Sequence, residues 1–129
     1  MKNIDRLFVL TGVIFLLIGL ALGLKMSMTQ NFAMRDLHAH LNLLGFVLMT
    51  LFGLCYRAWP RMQEGGLAAV HYLLHTVTVA AALGIFYRVL SNMDLAPKLG
   101  PIMDFILMGT YLGVLIFAYL VLTRTRARE

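Results

Sequence analysis

Apolar stretches broken by short polar segments set the layout of the chain. Leu7 to Leu24 carries no charge, and three further runs follow, from about Leu37 to Tyr56, Leu67 to Tyr87 and Ile102 to Leu122. Each is close to the roughly 20 residues an α-helix needs to cross the hydrocarbon core of a bilayer. A helix satisfies its own backbone hydrogen bonds in lipid, so the pattern predicts an all-α fold. It is an integral membrane four-helix bundle with helices at about 7–24, 37–56, 67–90 and 102–122, in one domain spanning 1–129. Lys2 and Arg6 precede the first run as they would precede the core of a signal peptide. The run is long for that role, and Lys25-Met26-Ser27-Met28 is a poor cleavage site, so it reads as a retained helix.

Charge orients the bundle. Lys2, Arg6, Arg57, Arg61, Arg124, Arg126 and Arg128 flank one side, and Lys25, Arg35, Arg88 and Lys98 flank the other, seven cations against four. The richer side is the cytoplasmic one, which predicts that both termini are cytoplasmic. Composition agrees with a chain made for lipid: 60% of residues are hydrophobic and 13% charged, against about 45–50% and about 25% in soluble domains. The net charge of +5 is read as a topology signal and an attraction to anionic membrane lipid. A nucleic-acid partner is not expected, because no basic patch is interleaved with aromatic residues. Short loops and multiple spans suit a bacterial inner membrane. Cys55, the only cysteine, excludes an intrachain disulfide and reads as a buried, inert thiol.

The loops and faces follow from the same pattern. Lys25 to Asp36 is the longest polar segment. Pro60 ends the second helix, and Gly65-Gly66 resets the chain before the third, with Trp59 as an interfacial anchor. Pro97, Gly100 and Pro101 stop the third helix and start the fourth. Gly12, Gly19 and Gly23 gather on one side of the first helix, and Gly109 and Gly113 form a small-xxx-small pair in the fourth. Such glycines mark close helix contacts in lipid, and they predict self-association into a homo-oligomer. At about 100° per residue, His38, Asn42, Gly45, Met49 and Tyr56 share a stripe of the second helix, with His40 on the opposite side. His71, His75, Thr78 and Ala82 share a stripe of the third.

The four histidines carry the candidate chemistry, since ionisable groups within a membrane are costly and functional by default. Neutral imidazole ligates haem iron, copper and zinc, so His38, His40, His71 and His75 are candidate cofactor ligands, with His40, His75 and His38 the candidate metal ligands. His75 lies about 12 Å along its helix from Leu67, whereas His71 is one turn inside the end and reads as interfacial. His40 lies about 25 Å from the inner end of its own helix, so His40 and His75 cannot easily share one haem within a subunit. A methionine, a neighbouring subunit or an open position then completes the iron. Met26, Met28 and Met34, with His38 and His40, form a second candidate site, because thioether and imidazole suit Cu(I). That site would belong to a copper-handling or oxidase-assembly protein, and interface packing is the plainer reading of those methionines. A cofactor-free accessory subunit of a respiratory complex is a third reading.

The segment His40-Leu41-Asn42-Leu43-Leu44-Gly45-Phe46, followed by Gly53, Tyr56 and Pro60 and then Leu67-Ala68-Ala69-Val70-His71-Tyr72, resembles two helices of the haem-copper oxidase catalytic subunit. That family includes cytochrome oxidases and nitric oxide reductases. The resemblance implies that His40 is a metal or haem ligand and that His71 begins a helix. It also implies a small relative with a b-type haem site but without the family's consecutive His-His pair, and therefore without oxygen or nitric oxide reduction of its own. Electron transfer, haem handling or gas sensing is the expected role.

Overall fold

The structure, a computed structural model, describes residues 3–126; Lys2 and Arg128, counted above among the cations, lie outside the described residues. Four helices long and apolar enough to cross a membrane make up nearly all of it: α1 (Ile4–Thr29), α2 (Arg35–Ala58), α3 (Leu67–Ser91) and α4 (Ala96–Arg124). The fold is thus the expected all-α four-helix architecture of a membrane protein, with no strand among the described residues.

The helices overrun their apolar stretches. α1 continues through Lys25 to Thr29, whose hydroxyl donates to the Lys25 carbonyl (2.8 Å), and Gln30 ends it in the left-handed conformation (φ 53°). The polar segment expected as a loop from Lys25 to Asp36 is therefore mostly helix, because long side chains reach the aqueous boundary while the backbone remains internally bonded. α4 begins at Ala96, earlier than the expected Ile102. Pro97 sits in its first turn, where a missing N–H costs nothing, and Pro101 lies inside the helix rather than before it. One feature has no counterpart in the hydropathy pattern: within α2, Leu41–Val47 is a π-helix.

Short 3₁₀ turns at Pro60–Gln63 and Met93–Leu95 join α2 to α3 and α3 to α4. Gln63 fastens the first of these to the bundle. Its Oε1 accepts from the Ile4 N–H and its amide donates to the Tyr56 carbonyl, both at 3.1 Å. Arg61 donates to the Arg126 carbonyl (3.1 Å). The start of α1, the α2–α3 turn and the end of α4 therefore share one end of the bundle.

The four helices pack as two hairpins, and glycine closes each of them. Between α1 and α2 the gaps alternate. A Cβ on Gly53 would meet Val9 at 2.7 Å, on Gly45 Phe15 at 2.5 Å, on Gly12 Thr50 at 3.0 Å, on Gly19 Asn42 at 2.5 Å and on Gly23 His38 at 2.7 Å. Between α3 and α4, a Cβ on Gly109 would meet Thr78 at 2.6 Å and one on Gly113 would lie 3.4 Å from His75. This corrects the expectation that Gly109 and Gly113 face a second copy: their neighbour is α3 of the same chain. A small-xxx-small stripe announces a close helix without naming it, and the short turn before α4 brings α3 into reach first.

An aromatic seam joins the hairpins. Phe8 of α1 meets Tyr72 of α3 edge-on (5.0 Å between ring centroids), and Phe117 of α4 packs on Phe52 of α2 (4.5 Å). His71 of α3 lies among them, 5.0 Å from Phe8 and 4.6 Å from Phe52.

Candidate functional site

The four histidines occupy three different environments. His38 is half-buried against α1 and fully used. Its Nδ1–H donates to the Gly19 carbonyl (2.7 Å), which can only accept, so Nε2 holds the lone pair and receives the Asn42 amide (3.3 Å). The absent side chains of Gly19 and Gly23 make the space for this ring and its partner. His38 is a helix-pairing residue with no nitrogen to spare.

His40, two residues on, points the other way and is exposed. Its Nδ1–H donates to the Asp36 carbonyl one turn back (2.7 Å), and its ring meets the edge of Phe86 of α3 (centroids 5.4 Å, planes at 86°). A carbonyl on Nδ1 fixes the tautomer and leaves the Nε2 lone pair free, which is how metal-binding imidazoles are commonly oriented.

His71 and His75 are both completely buried. The expectation that His71 is interfacial fails: Phe8, Phe52, Tyr56 and Phe117 pack around it although it lies one turn from the helix start. Its Nδ1 shares a hydrogen bond with the Tyr56 hydroxyl (2.8 Å), and its Nε2 has no partner. Neither nitrogen of His75 has one, although the Leu44 backbone, in the π segment, approaches it. These three atoms make up half of the six buried side-chain polar atoms without a hydrogen bond among the described residues. A buried unsatisfied group costs about 1–3 kcal/mol, so the pair concentrates the polar cost of the fold at one point.

α3 brings His71 and His75 together, with ring centroids 5.9 Å apart. It does not bring His40 to either of them: His40 lies at Phe86, eleven residues beyond His75, or about 16 Å along the helix. A haem does not fit at the buried pair. Phe8, Phe52 and Phe117 pack directly on the imidazoles, and the apolar grooves have no histidine in their walls. One of about 380 Å³ is bordered by Phe15, Leu41 and Leu83, and another of about 810 Å³ runs along Thr78 and Gly109.

The methionine site is not assembled. Met26 and Met34 border one small cavity of about 160 Å³ with Lys25 and Tyr87, but Met28 is 77% exposed and neither His38 nor His40 reaches that cavity. Among the described residues no three histidine, cysteine or acidic side chains cluster as a metal site. Cys55 is half-buried and unpaired. Two residues absent from the sequence-based candidates belong to the histidine environment: Tyr56, as the partner of His71, and Phe52, whose ring edge meets both imidazoles. Tyr56 was visible as part of the second helix's inward stripe; the role of Phe52 had no signal beyond being apolar.

No family model matches the chain, and no curated protein or solved structure is similar enough to match it.

Proposed function

We propose that the protein binds b-type haem in a bacterial inner membrane and acts in electron transfer, with His40 as an axial ligand. The observation that supports this is the state of the His40 ring: Nδ1 held by the Asp36 carbonyl, Nε2 free at an exposed surface. It is the histidine that the resemblance to the haem-copper oxidase subunit singles out. Lys25, Arg35 and Arg88 lie at the same end of the bundle and supply counter-charge for the carboxylates of such a cofactor. The haem contributes reversible one-electron chemistry at iron. His40 contributes a ligand of fixed tautomer, made more basic by the carbonyl behind it. Any further protein ligand to the iron would have to come from outside the protomer, because His38 is committed and His71 and His75 are enclosed. A second copy of this chain is the natural donor.

In this reading the end holding both termini is cytoplasmic, which the bias of seven cations against four supports, and His40 works near the outer face. A reporter fused at Asp94 then reports the exterior.

The test is the optical spectrum of the detergent-purified protein. A Soret band and a b-type pyridine haemochrome are expected, and His40→Ala is expected to remove most of the haem while the chain remains folded. Full haem content and an unshifted Soret band in His40→Ala overturn the assignment.

A further inference from the structure

We propose that His71 and His75 form a buried two-imidazole site for a single copper(I) ion, separate from His40 and independent of the haem reading.

The pair stands one helical turn apart, and its rings are spaced for a shared ion. A ring nitrogen lies about 1 Å from its ring centroid and metal–nitrogen bonds run about 2 Å, so two imidazoles holding one ion nearly in line have centroids about 6 Å apart. The observed separation is 5.9 Å. Three of the four nitrogens are solvent-inaccessible and make no hydrogen bond; the Leu44 backbone, which approaches His75, can occupy at most one of that ring's two nitrogens. The fourth, His71 Nδ1, is the one held by Tyr56. When that nitrogen donates its proton to the Tyr56 oxygen, the lone pair moves to His71 Nε2, and the phenol acts as the orienting partner that ligating histidines require. His75 needs only one nitrogen facing the ion. Both rings bind neutral, so no proton is released.

The surroundings choose the ion. Phe8, Phe52 and Phe117 form the walls, and among the described residues no acidic or cysteine side chain joins the two histidines in a group of three. A dication held there by neutral ligands would be a buried charge without compensation, which costs several kcal/mol. A monovalent soft ion accepts two nitrogen ligands and carries half the charge, so its burial costs less than a dication's. Gly113 of α4 completes the site by what it lacks. A Cβ there would lie 3.4 Å from His75 Nδ1 and 3.7 Å from His71 Cδ2, so the glycine leaves the space beside both rings clear.

The experiment titrates chelator-stripped, full-length protein in detergent with copper(I) under anaerobic conditions, in competition with a chromogenic copper(I) chelator. One copper per chain is expected, with an X-ray absorption edge typical of two-coordinate copper(I) and only nitrogen in the first shell. His71→Ala and His75→Ala should each weaken binding at least tenfold. Because removing a buried ring also disturbs packing, Gly113→Ala is the second arm: its Cβ has ordinary contact distances, so the chain folds while the site narrows, and binding weakens. Tyr56→Phe should weaken binding less than the loss of a histidine. His40→Ala, which tests the haem, should leave copper binding unchanged. The proposal is overturned by the absence of stoichiometric copper, by equal affinity in the His71→Ala/His75→Ala double variant, by zinc binding as tightly as copper(I), or by sulfur neighbours in the absorption spectrum. The last of these would move the ion to the methionines.

Discussion

The two hairpins use one device with opposite results. In each, glycines of one helix face polar side chains of the other: Gly19 and Gly23 face Asn42 and His38, and Gly109 and Gly113 face Thr78 and His75. In the α1–α2 hairpin the close approach presents a carbonyl to the imidazole, and both nitrogens of His38 are satisfied. In the α3–α4 hairpin it presents a bare Cα, and His75 takes no hydrogen bond from α4; only the Leu44 backbone of α2 comes near it. A glycine beside a histidine is therefore not in itself a mark of function. What separates a histidine that pins two helices from one that awaits a ligand is whether the approaching backbone offers an acceptor.

The sharpest way to break this comparison is to fill the glycine gaps. Gly19→Leu or Gly23→Leu drives a side chain into Asn42 or His38 and should destabilise the α1–α2 hairpin by about 3 kcal/mol or more. Gly113→Ala, whose Cβ has room, should cost less than about 1 kcal/mol. Thermal unfolding in detergent reads both, and equal losses would show that the two hairpins are closed alike. Gly109→Ile also belongs here, and its damage should appear as lost stability before any change in oligomer size.

Next in size is a reversal of sign at the two histidines. His38→Leu leaves the Gly19 carbonyl and the Asn42 amide without partners and should destabilise the apo protein by about 1–3 kcal/mol. His75→Leu removes two unsatisfied buried nitrogens from an aromatic shell, and the apo protein should become more stable by about 1 kcal/mol. Losses of similar size in both variants would mean that His75 has a hydrogen-bonded partner of its own.

The smallest effect is expected at Thr78, whose hydroxyl donates to the Leu74 carbonyl (2.8 Å) and accepts from Thr110 (2.9 Å). Thr110→Val should cost about 0.6 kcal/mol, the usual worth of an interhelical hydrogen bond in a membrane. Copper binding unchanged by that variant would confine the proposed site to the imidazoles.

Much of this was legible in the sequence, for identifiable reasons. Long apolar runs fixed the spans, because lipid leaves a chain few other ways to satisfy its backbone. The helical period separated His38 from His40 and aligned His71 with His75. The burial of His71 was hidden because depth counted along a helix says nothing of what packs against its end, and the cover is aromatic rings from the other three helices, Phe8, Phe52 and Phe117. The partner of Gly109 and Gly113 was hidden for a similar reason: a period identifies a face but not what lies against it. Leu41 is buried although it lies outside the stripe drawn for a regular helix. The cause is the π segment, which turns more slowly than the 3.6-residue period assumes.

That segment amounts to one surplus residue absorbed without unwinding the helix. Were the same residues wound as uninterrupted α-helix, everything before the segment would swing by about 100° relative to everything after it. Met49, Phe52 and Tyr56 would keep their neighbours, while His38 would leave its place beside Gly19 and His40 would leave Phe86. The aim of the outer half of the second helix is thus set by chain length as much as by side-chain chemistry. A one-residue deletion there would take out the surplus residue and leave both flanks in phase, whereas straightening the segment with all its residues kept would undo the orientation.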